Sequence, residues 1–473
     1  MVFFNPYIKG RSMTMSNALT EVQKEVQALI EKGRVAQQEF ETWSQEKVDE
    51  AVRVIGKAVY DDGDRLAKLA AEETQMGRYE DKILKNKGKS KAVWNKLKHQ
   101  KSRNIIRYIE DEGLIEVAKP MGVIGAVTPT TNPTMTPMQN AMIALKGGNA
   151  LLVSPHPRGK QSGVETVKVM REALKAIDAP EDLIQIIPNP TLEHTQAVMA
   201  MCDVTIATGG PSMVKAAYSS GKPSFGVGAG NIQCLADTDV AAEDYLTMVV
   251  NGRIYDNGVL CTCEQCLIYP KTDKANVEAG LIKRGGYLIK PEEMDSFRDK
   301  LFPNGVINKD MVGRPASEVA ELGGLTVPEG TKFIFVQIEK YGADELFTKE
   351  KLCPVLATIG YDTWEEAITI AKTNLLFEGA GHSAVVHSHT TENIEAAGKA
   401  LPVSRVAVNQ QGSSGLGGAM NNGLNPTGTL GCGSWGNNSI SENLWWTHLV
   451  NISRVAYVKK DAEIPTDDEI WNS

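Results

Sequence analysis

Three thiols crowd one short run of this chain: YDNGVLCTCEQC, from Tyr255 to Cys266, holds Cys261, Cys263 and Cys266. Cysteines so close can hold a metal, close a disulfide or flank a single nucleophile. A zinc knuckle needs four ligands, and Cys-x-Cys-x-x-Cys supplies three with no second Cys or His pair at matching spacing nearby. A disulfide framework is disfavoured, because seven cysteines in 473 residues are odd in number, sparse, and fit a reducing compartment. A nucleophile needs access, a lowered thiol pKa and nearby donors, all of which suit a thiol just after Asn257-Gly258. Only one of the three then reacts.

Other stretches could hold a ligand. ATGGPSMVKAA (Ala207 to Ala217) follows a short apolar run and opens a helix, where free N–H groups and the positive dipole end favour phosphate. Its spacing is not GxGxxG, so a tight strand-to-helix turn explains it equally well. GVGAGN (Gly226 to Asn231) marks close approach of the backbone to a ligand or to another strand. NALLVSPHPRGK (Asn149 to Lys160) ends a strand in a cationic cluster. At such strand ends a basic residue favours a ribose 2′-phosphate, so His156, Arg158 and Lys160 lean toward NADP, unless they form only a solvated loop.

These stretches need a scaffold, and the chain can build a large one. It is 42% hydrophobic and 23% charged, an ordinary globular composition whose length suggests about two or three domains. A formal charge of -8 argues against nucleic-acid or anionic-membrane partners. No apolar run of membrane-spanning length appears, so an unexported, cytoplasmic protein is expected. Met15 reads as a fresh start, with Ser16 or Asn17 capping a helix and residues 1–14 as an extension outside the fold.

Helical spacing of Val22, Val26, Leu29, Ile30, Val52, Ile55 and Val59 predicts a helical lead-in up to about Met76. The Lys-rich run Asp81 to Arg103 reads as an amphipathic helix with a solvated cationic face. IIRYIEDEGLIEVAKPMG reads as a hairpin, and from GVIGAVTP onward strands alternate with helices, which implies βαβ units and a parallel sheet. After Asn231 the alternation resumes, giving two α/β domains that meet near residue 230. The Gly- and Asn-rich stretch Gln411 to Asn438 reads as an ordered loop lining a site, and Leu449 to Val458 as a β-like run.

Taken together, TPTTNPT (128 to 134), LLVSPHPR, IATGGPSMVKAAYSSGKP, GVGAGN, YDNGVLCTCEQ, EKLCPVL, GAGHSAVVHS and TLGCGSWGNNSISEN resemble the CoA-acylating aldehyde dehydrogenases. The resemblance runs from about residue 19 to the end. It implies an α/β fold of aldehyde dehydrogenase type. A Rossmann-type cofactor domain (15–230, with a hairpin at 104–119) joins a catalytic domain (231–430), and 431–473 returns to the cofactor domain as an oligomerisation strand. A homodimer or dimer-based oligomer follows from the hairpin and terminal run.

The same resemblance places roles on residues. Cys261, in the DNG-x-x-C setting, becomes the nucleophile, and Cys263 stands where relatives usually carry Ser. Asn132 becomes the oxyanion donor together with the Cys261 N–H. His382 falls where the branch has an active-site His, or else it is a satisfied structural His. Cofactor contacts fall on Ser154, Pro155, His156, Arg158, Thr208, Gly209, Gly210, Gly228 and Glu350. No metal is implied; NADP or NAD is the cofactor and CoA the co-substrate. In the hydrolytic branch a Glu activates water, but the matching segment PSFGVGAGN has Phe225 or Gly226 there, so a thiol acceptor is expected. Succinate semialdehyde is the expected substrate; sulfoacetaldehyde and a hydrolytic reaction are the rivals.

Overall fold

The computed structural model describes residues 19–460 and 462–472. The expected extension over residues 1–14 lies outside them, as do Ser16 and Asn17. Helix α1 (Glu21–Glu41) is capped instead by Thr20, whose hydroxyl accepts from Gln23 N while the Gln23 side chain accepts from Thr20 N. Three more lead-in helices follow: α2 (Gln45–Asp61), α3 (Gly63–Thr74) and α4 (Tyr79–Leu97). The periodic residues Val26, Ile30, Val52, Ile55 and Val59 share one buried core with Ile124, Leu151 and Leu152 of a central sheet. α1 lies directly on that sheet, and α2 packs on the helices that follow.

α4 corrects the sequence reading. It is a helix, but its polar face is not solvated: Asp81, Lys82, Lys85, Asn86 and Ser90 are buried, whereas Leu84 is exposed. Two lysines tolerate burial because Asp256, from a remote loop, lies between them.

Strands β1 (Asn104–Ile109) and β2 (Leu114–Pro120) form the expected hairpin. Then come β3 (Val123–Thr128), α5 (Met135–Lys146), β4 (Ala150–Pro155), α6 (Lys160–Lys175) and β5 (Ile184–Ile186). They are followed by α7 (Leu192–Met201), β6 (Val204–Ala207), α8 (Pro211–Tyr218) and β7 (Ser224–Gly226). The sheet order is β5-β4-β3-β6-β7, all parallel. Strand order reverses between β3 and β6, the switch point where a crevice opens at the carboxyl ends of a doubly wound sheet.

The second sheet contains β8 (Ile232–Ala236), β9 (Glu264–Pro270), β10 (Gly286–Leu288), β11 (Phe333–Gln337), β12 (Val355–Tyr361), β13 (Ala384–His387) and β14 (Val406–Val408). Its order is β10-β11-β12-β9-β8-β13-β14, again all parallel. Helix α9 (Ala242–Ile254) connects β8 to the cysteine loop. The terminal run forms β15 (Val450–Ala456), which pairs antiparallel with β2 and completes a three-stranded sheet with the hairpin. No described helix is long and apolar enough to cross a membrane.

Candidate active site

Cys261, Glu350 and His382 precede β9, β12 and β13, and Gly230 precedes β8, so all four lie at the amino edge of the seven-stranded sheet. That edge faces the carboxyl edge of the five-stranded sheet. The cysteine loop leaves α9 through a tight turn in which Asp256 and Asn257 hold left-handed backbone, φ 50° and 53°. Such a conformation costs free energy and persists only where surroundings enforce it. They do so here: Asn257 Nδ2 donates to the Gly313 carbonyl at 3.0 Å, and the buried Arg253 guanidinium donates to Gly258 O at 2.6 Å and Glu264 O at 2.8 Å. Arg253 therefore clamps both ends of the segment that carries Cys261.

Of the three clustered thiols, only Cys261 is partly exposed; Cys263 and Cys266 are buried. Cys263 Sγ points back to the Tyr255 carbonyl at 3.7 Å, and Cys266, on β9, packs in the core. All seven cysteines are free thiols. Gly230 packs so tightly on the nucleophile that a Cβ there would overlap the Cys261 carbonyl. Burial, and then Glu350, push the Cys261 thiol above its ordinary range, and Arg405 pulls in the opposite direction. This reverses the lowered thiol pKa expected for a nucleophile in this setting, because burial outweighs the cationic neighbour.

Cys261 opens into a cavity of about 330 Å³. Asn132, in the loop between β3 and α5, lies on the same wall. The remainder comes from α4 (Lys85, Lys89, Lys91) and from the Gly-rich stretch (Ser413, Ser414, Gly417, Thr427), which is therefore a site-lining loop as its pattern suggested. Among the described residues, no Asp or Glu lines this cavity. Lys89 donates to the Gly417 carbonyl at 2.9 Å, and burial lowers its pKa to about 8.

The expected cofactor residues gather at the carboxyl edge of the five-stranded sheet, with differences. Gly209 and Gly210 precede α8, and a Cβ at Gly210 would meet nothing within 4 Å, so a ligand can approach that backbone. Thr208 Oγ1 lies 3.0 Å from Thr429 Oγ1, which ties the Gly-rich stretch to this edge. Ser154 and Pro155 end β4 but are buried, and the Ser154 hydroxyl is spent on Thr195 at 3.0 Å. His156 and Arg158 are exposed beyond them. The nearby carboxylate of Glu73 is committed to the first turn of α6, accepting from Gln161 N and Ser162 N at 2.8 Å. The Gly228 N–H is taken by Cys432 Sγ at 3.2 Å, so Cys432 does more than fill space.

Glu350 sits between the two edges. Its Oε1 accepts from Gly230 N at 3.1 Å, and burial and Glu378 raise its pKa to about 8. His382 is fully buried outside the Cys261 cavity, with Nδ1 3.0 Å from Ser383 Oγ. Burial and Arg405 lower its pKa to about 3, so it is neutral. An open glycine turn at a topological switch point, with basic residues at the next strand end, suits a dinucleotide phosphate.

Sequence reasoning missed Arg253, Lys85, Lys89 and Glu264. Glu264 is fully buried, accepts from Gly412 N at 2.6 Å and has its pKa raised by burial to about 7. For the α4 residues a signal existed: DKILKN puts Asp81, Lys82, Lys85 and Asn86 at i, i+1, i+4 and i+5, one helical face.

Comparison with known proteins agrees with this geometry. The aldehyde dehydrogenase family profile matches residues 3–285. A succinate-semialdehyde dehydrogenase (acetylating) from Clostridium kluyveri is 48% identical over 94% of this chain and 98% of its own. The crystal structure of an acetylating aldehyde dehydrogenase from Geobacillus thermoglucosidasius superposes with TM-score 0.90, at 36% identity over 94% of this chain and 98% of that one. A propionaldehyde dehydrogenase from Rhodopseudomonas palustris, solved with bound CoA and an acylated cysteine, superposes with TM-score 0.80 at 27% identity, over 91% of this chain and 97% of that one. This chain belongs to the aldehyde dehydrogenase family, in its CoA-acylating branch.

Proposed function

We propose that the protein oxidises a short anionic aldehyde, succinate semialdehyde first, with NADP or NAD and CoA, giving the acyl-CoA through a thioester on Cys261. The observation that carries this reading is the lining of the Cys261 cavity, which among the described residues has Lys89 and Lys91 and no carboxylate, in a chain of formal charge -8. A cationic pocket in an acidic protein favours a substrate with a distal anion.

Cys261 gives up its thiol proton to solvent through the cavity it opens into and attacks the aldehyde carbon as the thiolate. The Asn132 amide and the Cys261 backbone N–H then hold the developing oxyanion, donors of a kind whose loss typically costs about 3 kcal/mol each. A bound nicotinamide would supply the hydride acceptor; Thr208, Gly209, Gly210 and Arg158 would hold its dinucleotide, and Glu350 would contact the nicotinamide ribose, as the family resemblance implies. Loss of hydride turns the Cys261 adduct into a thioester. Phe225 packs edge-on against His448 at 6.0 Å, and Gly226 N donates to Tyr218 Oη at 2.8 Å, so neither position offers a base for water. CoA thiolate then takes the acyl group and returns Cys261 as thiolate, and the sequence runs equally in reverse.

The hairpin with β15, which carries the exposed Tyr108 and Val455 and is followed by the exposed Tyr457, is the surface through which a dimer would form.

The test is a CoA-dependent reduction assay over succinate semialdehyde, sulfoacetaldehyde and acetaldehyde with both cofactors. Higher kcat/KM for an anionic aldehyde and dependence on CoA are expected. Preference for acetaldehyde, or equal rates without CoA, would overturn the reading.

A further inference from the structure

The buried face of α4 grips the two loops that carry the chemistry. Asp81 accepts from Asp256 N at 2.8 Å, Lys82 Nζ lies 3.2 Å from Asp256 Oδ2, and Thr134 Oγ1 donates to Asn86 at 2.8 Å. Lys85 touches both loops: its ammonium donates to Asp256 Oδ2, ahead of the nucleophile, and to Asn132 Oδ1 at 2.8 Å. Asp256 also accepts from Arg78 N at 2.6 Å, and a Cβ on neighbouring Gly77 would overlap its carboxylate. Burial alone would raise the Asp256 pKa, but Lys85 and Lys82 outweigh it and hold the carboxyl below the ordinary range. Lys85 thus stands on a fixed anion, with its side chain 6% exposed.

A primary amide can present its oxygen or its NH2 to a given partner, and the two ends have opposite hydrogen-bonding character. Here Asn132 turns Oδ1 to Lys85, and Nδ2 lies 3.3 Å from Thr131 Oγ1. The reversed amide would set two donors against each other at the ammonium. We propose that Lys85 is a positioning residue: anchored on Asp256, it holds Asn132 Oδ1 and so aims the amide N–H groups at the carbonyl oxygen of an aldehyde on Cys261. By bonding both loops it also sets the separation of nucleophile and donor. This inference rests on the reading of Asn132 as the oxyanion donor.

The experiment compares full-length Lys85→Met, Asn132→Ala, the double variant and Lys85→Arg by stopped-flow hydride transfer at saturating aldehyde and cofactor. Lys85→Met is expected to slow transfer about 10- to 100-fold, within the range of a weakened oxyanion donor. Aldehyde KM, NADP affinity and the rate of Cys261 alkylation by iodoacetamide should stay within about threefold, since only an interaction of the transition state is removed. The double variant should be no slower than Asn132→Ala, because the two act as one unit. Lys85→Arg, which keeps a cationic donor, should recover most of the rate.

Multiplying effects in the double variant, or a raised aldehyde KM with unchanged kcat, would overturn the inference; the latter makes Lys85 a substrate contact. Slow Asn132→Ala beside fast Lys85→Met sinks this inference alone. Fast Asn132→Ala sinks the oxyanion reading and the inference with it. Should Lys85→Met not fold, Lys85→Met/Asp256→Asn removes both charges of the pair and carries the same expectations.

Discussion

The two parallel sheets turn opposite edges to one site. The five-stranded sheet offers its carboxyl edge, where β6 runs into the Gly209–Gly210 turn and the exposed start of α8. The seven-stranded sheet offers its amino edge, with Cys261 and Gly230 clamped by Arg253 and by close backbone packing. An open edge with unpaired N–H groups suits binding of an anionic ligand that comes and goes. A locked edge suits a nucleophile, where misplacement by about 1 Å can cost about a hundredfold in rate. Meanwhile the carboxyl edge of the seven-stranded sheet carries the larger crevice, about 1040 Å³, beside Tyr269, Gln337 and Gly360. Lys271 pairs there with Asp362 and Glu366, and Arg298 with Glu345 and Asp295, while Lys274, Glu339, Lys340 and Asp344 line the crevice outside these pairs. Cavity size does not locate the chemistry; an accessible thiol does.

The sharpest way to break this contrast is at the locked edge. Cys261→Ala should lower acyl-CoA formation by about 10⁴-fold or more, as removal of a nucleophile does elsewhere. NADP binding, measured by fluorescence titration, should be unchanged. Cys263→Ser and Cys266→Ser should retain turnover within about tenfold, because those thiols serve packing. A covalent adduct trapped on either of them would contradict the assignment.

Next in size are two alanines, one on each edge. At Gly230 the added methyl must displace the Cys261 carbonyl, so Gly230→Ala is expected to cost about a hundredfold in kcat. Gly210→Ala meets open space, and kcat should hold within about threefold while cofactor KM rises. Equal losses in kcat at both positions would erase the distinction between a locked and an open edge.

A smaller effect confined to one substrate class falls on Lys89. Lys89→Met should lower kcat/KM for succinate semialdehyde about 10- to 100-fold, the worth of a hydrogen bond to a charged group, and leave acetaldehyde unchanged. Burial holds the folded pKa near 8, below the ordinary lysine range. The ammonium is therefore present below pH 8 and is lost as pH rises through it. KM for the anionic aldehyde should climb above pH 8 in the native protein, and in Lys89→Met the climb should vanish. A KM that stays flat with pH in both proteins would remove Lys89 from substrate recognition.

How much of this was legible depended on range along the chain. Elements whose burial follows local periodicity were readable: the lead-in is helical with Val26, Ile30, Val52, Ile55 and Val59 buried, strands alternate with helices from GVIGAVTP onward, and the hairpin pairs as its turn suggested. Cys261, Asn132 and the glycine turn were marked by local motif and resemblance. No strand was read at the three-residue β7, β10 and β14, nor at the longer β11 and β12, whose apolar runs are continuous and carry no alternation. α4 misled for a different reason. Whether Lys82 and Lys85 are solvated depends on Asp256, more than 170 positions away, and no helical pattern contains that partner. Ser154 shows the same limit, since its hydroxyl is consumed by Thr195 on α7.

The smallest expected effect on rate lies at the distal crevice, and it is the one that tests whether paired charge means silence. Arg298 makes two 2.8 Å bonds to Glu345, whose side chain is 7% exposed, and its guanidinium sits 5.0 Å above the Phe347 ring. Arg298→Ala leaves a buried carboxylate with only the Phe347 N–H, a loss of roughly 3 kcal/mol in stability by the cost of breaking such a pair. Thermal unfolding should report that loss, and kcat and both KM values at 25 °C should stay within about twofold, since no substrate contact is removed. Adding Glu345→Gln should return part of the stability, because the orphaned charge is gone. If Arg298→Ala instead slowed turnover tenfold while the fold stayed intact, the crevice would be coupled to catalysis, and opposite edges would no longer divide the labour between them.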